Sequence, residues 1–87
     1  MNNIAHLITL ANRIGQFFES FPDRQEGLEG VANHIQKFWE PRMRIAMLNF
    51  LETQPDGQLG ETGLSDIALQ AISQNRERLT PKMPTTA

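Results

Sequence analysis

The side chains of this chain that can move protons, bind metals or attack a substrate are few and poorly grouped. There are two histidines, His6 and His34, and no cysteine. Without thiols there are no disulfides, no thiolate nucleophiles and no thiolate metal ligands. His6 has Leu10 one helical turn on, so it gains no second ligand, and no histidine–carboxylate cluster has ligand spacing. Ser20, Ser65 and Ser73 have no base placed to activate them. Gly57, Gly60 and Gly63 are spread across an irregular loop, which is not the strand–glycine–helix pattern that cradles phosphates. No catalytic residue, metal ligand or cofactor-binding residue is expected.

One stretch, 34–44, points to recognition instead. It holds the only tryptophan, one of the two histidines and three of the eight Lys/Arg: Lys37, Arg42 and Arg44. Tryptophan and arginine are enriched at the energetic centres of interfaces. Pro41 must end one helix and is well suited to begin the next. It thereby puts Arg42 in a first helical turn, where a cation opposes the helix dipole. A carboxylate, a phosphate or partner carbonyls would justify arginines at that end. Trp39 reads either as a wall of the core or as a partner anchor. Phe38 is expected to face inward, and His34 to sit hydrogen-bonded at the core's edge.

The elements that position this stretch are helices. Over residues 4–21, the apolar residues from Ile4 to Phe21 fill about half of a helical wheel. Gly15 lies inside that half, which implies close approach of another backbone. Asn12, at the edge, reads as solvated or locally bonded. Phe21-Pro22-Asp23 closes this helix. Asp23 to Glu26 has capping-box spacing, and a second helix runs to about 39 with Leu28, Val31, Ala32, Ile35, Phe38 and Trp39 as its stripe. A third helix spans 41 to 52 or 53. Met43, Ala46, Met47, Phe50 and Leu51 form one face, and Ile45 and Leu48 lie opposite. A helix apolar on both sides needs two covers, and the second is either a fourth helix or another chain. Residues 54–63 read as a loop. A fourth helix follows Ser65 from about 66 to 78.

The predicted fold is all-α: a small bundle of three core helices plus a fourth C-terminal helix. Residues 1–79 form a single domain, and 80–87 a disordered tail. At 87 residues one domain is the limit. Its net stability is roughly 3–5 kcal/mol, as for small scaffolds generally. The net charge of −2 and pI near 5.6 speak against a nucleic-acid footprint, which needs a basic face. No apolar run approaches a membrane span, no signal peptide is expected, and the lack of cysteine fits a cytoplasmic setting.

Two blocks resemble a known family, the delta subunit of cytoplasmic, NAD-dependent, molybdenum-containing formate dehydrogenase. Leu10-Ala11-Asn12-Arg13-Ile14-Gly15-Gln16-Phe17-Phe18 is similar to that family's M-A-N-Q-I-G-x-F-F. The residues from His34 to Arg44 are similar to its H-I/L-x-x-F-W-x-P-R-M-R. Gly63-Leu64-Ser65 is a weaker match, and the likeness covers roughly residues 4–72. Leu10, Arg13 and the 80–87 segment depart from the pattern. The resemblance implies a non-catalytic subunit of an enzyme that oxidises formate and passes electrons to NAD. It implies a role in assembly, stability or insertion of the molybdenum cofactor, which the large subunit holds.

The expected partner is therefore the catalytic (alpha) subunit. It is expected to dock on Lys37, Trp39, Pro41, Arg42 and Arg44, with Ile45 and Leu48 extending the surface. In a variant of this reading, the arginines sense a cofactor phosphate during maturation. Two rivals stand beside it. One is a small helical nucleic-acid-binding regulator, with Pro41 opening a recognition helix. The other is a self-associating bundle, a weak homo-oligomer pairing Ile45 and Leu48 across a two-fold axis.

Overall fold

The computed structural model describes residues 3–81. Among them are α1 (Ile4–Glu19), α2 (Arg24–Phe38), α3 (Pro41–Thr53), β1 (Gln58–Leu59), β2 (Thr62–Gly63), α4 (Asp66–Gln74) and α5 (Arg76–Leu79). Local chemistry fixes most of the boundaries. The Asn3 side chain accepts from the Ala5 and His6 N–H groups at the start of α1. Asp23 accepts from the Gln25 N–H and caps α2. The capping box itself is not formed among the described residues, since Asp23 bonds the N–H of Gln25 rather than that of Glu26 and no return bond from Glu26 is made. Pro41 is the first residue of α3, and Ser65 caps α4 by accepting from the Ala68 N–H.

α1, α2 and α4 pack against one another, and α3 crosses α1. Leu7, Ile8 and Ala11 of α1 meet Leu28, Val31 and Ile35 of α2, Met47 and Leu51 of α3, and Ile67, Ala68, Ala71 and Ile72 of α4. Each of these is nearly or wholly buried. Glycines set two of the approaches. A Cβ at Gly15 would stand 2.9 Å from Ile67 Cγ2, and one at Gly27 would stand 2.8 Å from the Phe18 carbonyl oxygen. At Gly15 the close neighbours are therefore side chains of α4 rather than its backbone.

Asn12 is not the solvated side chain expected from its place at the edge of the stripe. Its Nδ2 donates to the Gly63 carbonyl and its Oδ1 accepts from the Ser65 N–H, both at 2.8 Å. It clamps α1 to the segment that starts α4. Amide side chains offer both a donor and an acceptor, and here both are used across more than 50 residues of sequence.

The expected loop over 54–63 contains an antiparallel hairpin pairing Gln58 with Gly63 and Leu59 with Thr62. Gly60 takes a φ of +60 at the first central position of a two-residue turn, a place that favours glycine. The expected fourth helix also divides. The Asn75 amide donates back to the Ala71 carbonyl at 2.7 Å, its backbone leaves the helical region at φ −123, and the chain restarts as α5. That turn buries Leu79. Thr80, assigned to the tail, is tied to α5 by its hydroxyl on the Arg76 carbonyl at 2.7 Å. The remaining tail positions, 82–87, lie outside the described residues.

Candidate partner-binding surface

The corner between α2 and α3 sorts its residues differently from the sequence expectation. α2 ends at Phe38, and Trp39 follows in extended conformation with φ −83 and ψ 136. Leaving the helix takes the indole off the helical wheel and into the core, where Trp39 lines a small cavity together with Ile35, Arg44, Met47, Leu48, Ile72 and Leu79. Trp39 is 6% exposed and belongs to the core cluster. Phe38 keeps helical geometry and stays about 60° round the wheel from Ile35. It is 71% exposed, with its ring 4.7 Å from that of His34. The inward place expected for Phe38 is thus taken by Trp39, and Trp39 leaves the set of partner-facing residues.

Arg44 also turns inward. Its Nη1 donates to the Leu79 carbonyl at 3.4 Å, and its Nε is buried without a hydrogen-bond partner. The chain's own C-terminal turn thus gives Arg44 an internal partner, while its side chain stays half-buried. Ile45 and Leu48 are half-buried. With Asn49, Glu52, Arg76, Thr80 and Pro81 they line a groove of about 360 Å³. An ion pair between Arg76 and Glu52 stands at that groove. The second side of α3 is thus bordered at this groove by Arg76 of α5 and by Thr80 and Pro81, which leave Ile45 and Leu48 half-covered. Lys37, Pro41 and Arg42 remain exposed at the corner, beside Phe38 and Glu40.

A second exposed aromatic group lies at the other end of the hairpin formed by α1 and α2. Phe17 is 64% exposed and Phe21 36%. Their rings and that of Phe18 form a triad with centroid separations of 4.9, 5.1 and 5.9 Å. Phe18 is the inner member, its ring lying directly over Gly30 of α2. Sequence reading missed this group by treating the whole wide arc of α1 as buried. The available signal was the arc's width, because Phe17 stands about 120° from Ala11, too far for one neighbour to cover both.

Charges on the remaining surface are partly used in structure. Arg78 bridges Glu29 at 2.8 Å and also donates to Gln36 at 2.7 Å. The hydrogen bond from Arg78 to Glu29 holds the Glu29 carboxyl below its ordinary value, with desolvation opposing and the attraction of the guanidinium adding. Among the described residues no group of three His, Cys, Asp or Glu side chains is placed to hold a metal ion, and no helix is long and apolar enough to cross a membrane.

The sequence model of one protein family, described as the NADH-dependent formate dehydrogenase delta subunit FdsD, matches residues 6–72. That span takes in nearly all of α1, then α2, the corner, α3, the β-hairpin and most of α4. No curated protein and no solved structure matches the chain.

Proposed function

Because this chain belongs to the delta-subunit family of NADH-dependent formate dehydrogenases, we propose that it is a non-catalytic subunit that binds the catalytic subunit. It supports assembly, stability or insertion of the molybdenum cofactor there, and takes no part in formate oxidation or electron transfer. One observation carries the docking part of this reading. Within the family-matched span, the α2–α3 corner presents Lys37, Phe38, Pro41 and Arg42 together on the surface. An aromatic ring 71% exposed beside two cations is costly to leave in water and suited to an interface.

The corner also has a firm base. On either side of Pro41, Trp39 is packed in the core and Arg44 donates to the Leu79 carbonyl, so the exposed residues are presented by an anchored backbone. Pre-ordered contacts lose less entropy on binding.

The test is co-expression with the catalytic subunit, followed by purification through a tag on that subunit. The wild-type chain should co-purify in a fixed ratio, and the Phe38→Ser, Arg42→Glu double variant at a much lower one. Helical circular dichroism should be the same for both. Molybdenum per catalytic subunit, compared with and without the chain, separates a maturation role from simple stabilisation. Failure of the wild-type chain to co-purify would overturn the reading.

A further inference from the structure

The exposed aromatics at the two ends of the α1–α2 hairpin belong to one face. On α2, Gly30, His34 and Phe38 are spaced four residues apart, so they form one row along the helix. On α1, Leu10, Ile14 and Phe17 form the matching row, and Phe21 follows just past the helix end with its ring 5.9 Å from that of Phe17. The helices run antiparallel, and the ring of Phe18 over Gly30 fixes their register. One turn back on α1 is one turn forward on α2, so Ile14 stands opposite His34 and Leu10 opposite Phe38. Leu10, Ile14 and His34 are half-buried, while Phe17, Phe21 and Phe38 are exposed. The rows border the outer side of the hairpin. The opposite side is filled by α4, which reaches α1 at Asn12 and Gly15.

Charge is not scattered evenly round this face. On the α1 edge Arg13 lies one turn before Phe17, and on the α2 edge Lys37 lies one turn after His34. Both are exposed and neither forms an ion pair among the described residues. The carboxylates of the hairpin sit elsewhere. Asp23 caps α2 at the turn end, Glu26 and Glu40 stand at the two ends of the α2 row, Glu19 lies on the far side of α1, and Glu29 is paired with Arg78. In a chain of net charge −2, the long edges of this apolar strip are therefore basic.

Resting on the membership and docking proposed above, we propose that the interface is not confined to the corner but runs the length of the α1–α2 outer face. Its occupant is a segment of the catalytic subunit that presents an apolar strip bordered by carboxylates. Phe38 and Phe17 are the two anchors, one near each end. Arg13 and Lys37 pair with the flanking carboxylates. Contiguous apolar surface with a charged rim is the pattern of a protein interaction site.

The experiment uses the full chain co-expressed with the catalytic subunit. Variants far from the corner carry the test: Phe17→Ser alone, and Arg13→Glu with Lys37→Glu. Phe17→Ser should lower the affinity for the catalytic subunit by roughly 30-fold, as loss of a hot-spot aromatic does. The charge reversal should weaken binding at 0.1 M salt and lose most of that effect at about 0.5 M, where screening is strong. Circular dichroism and the unfolding midpoint of each free variant should match those of the wild type. If the corner variants lose binding while Phe17→Ser and the charge reversal bind like wild type, this inference is overturned and the docking at the corner stands. If the wild-type chain does not bind the catalytic subunit, both fail. If sedimentation finds the free chain dimeric at micromolar concentration and Phe17→Ser makes it monomeric, the occupant is a second copy and the inference is likewise overturned.

Discussion

Replacing Asn12 by Ala removes two hydrogen bonds at once. The Ser65 N–H loses its acceptor and the Gly63 carbonyl loses its donor, each now bonded at 2.8 Å in a part-buried setting. A neutral hydrogen bond contributes about 1 kcal/mol net, and a buried group left unsatisfied costs about 1–3 kcal/mol. Water reaches a part-buried site and offsets some of that cost, so the sum is about 2–3 kcal/mol. Set against a total of roughly 3–5 kcal/mol for a domain of this size, the variant should keep about three-fifths of its stability or less. Urea unfolding of the isolated chain, followed by helical circular dichroism, measures the difference. Asn12→Asp should fall between the two. Its carboxylate still accepts from Ser65 but faces the Gly63 carbonyl with no proton to give. A loss below about 0.5 kcal/mol for Asn12→Ala, the scale of an ordinary surface change, would refute the clamp.

Trp39→Ala should cost about 3–5 kcal/mol as a large core truncation, leaving the free chain largely unfolded, and the wild-type Trp39 emission should be that of a buried indole. A docking residue on the surface would leave both stability and emission nearly unchanged. Gly15→Ala should destabilise by about 1 kcal/mol in a thermal melt even though alanine favours helix, because its Cβ meets Ile67 Cγ2 at 2.9 Å. The Glu29–Arg78 bridge gives a pH signature. The carboxyl is depressed in the folded state, so its contribution is present above the ordinary carboxylate range and is lost as pH falls through it. Glu29→Gln should therefore melt slightly below wild type at pH 7, and the gap should close as pH falls below the ordinary carboxylate range.

The sequence made the helices legible because their ends carry chemical markers. Asp23 and Ser65 cap, and Pro22 and Pro41 break or begin, within a residue or two of the observed boundaries. The stripes of α1 and α2 likewise located Leu7, Ala11, Leu28 and Ile35 in the core. Adjacent residues at a helix end were not legible. Phe38 and Trp39 follow one another on the wheel, but the helix stops between them, and one change of backbone conformation reversed their roles. Nor did periodicity reveal contacts made across long stretches of sequence. Asn12 reaches residues more than 50 positions away, and Arg44 finds a carbonyl 35 positions on. In both cases a polar side chain that read as surface-facing or partner-facing satisfies the chain's own backbone. The family resemblance, by contrast, depended on short ordered blocks and agrees with the family match.

In the proposed complex the catalytic subunit lies against the outer face of α1 and α2, and site-specific photo-crosslinking reads that contact. A benzophenone-bearing residue is placed at 17 or 38, and as controls at Asn49 or Glu61, both exposed away from that face. Irradiation of the co-expressed complex should join the catalytic subunit to positions 17 and 38, and not to 49 or 61. Crosslinks from 49 or 61, with none from 17 or 38, would contradict the account.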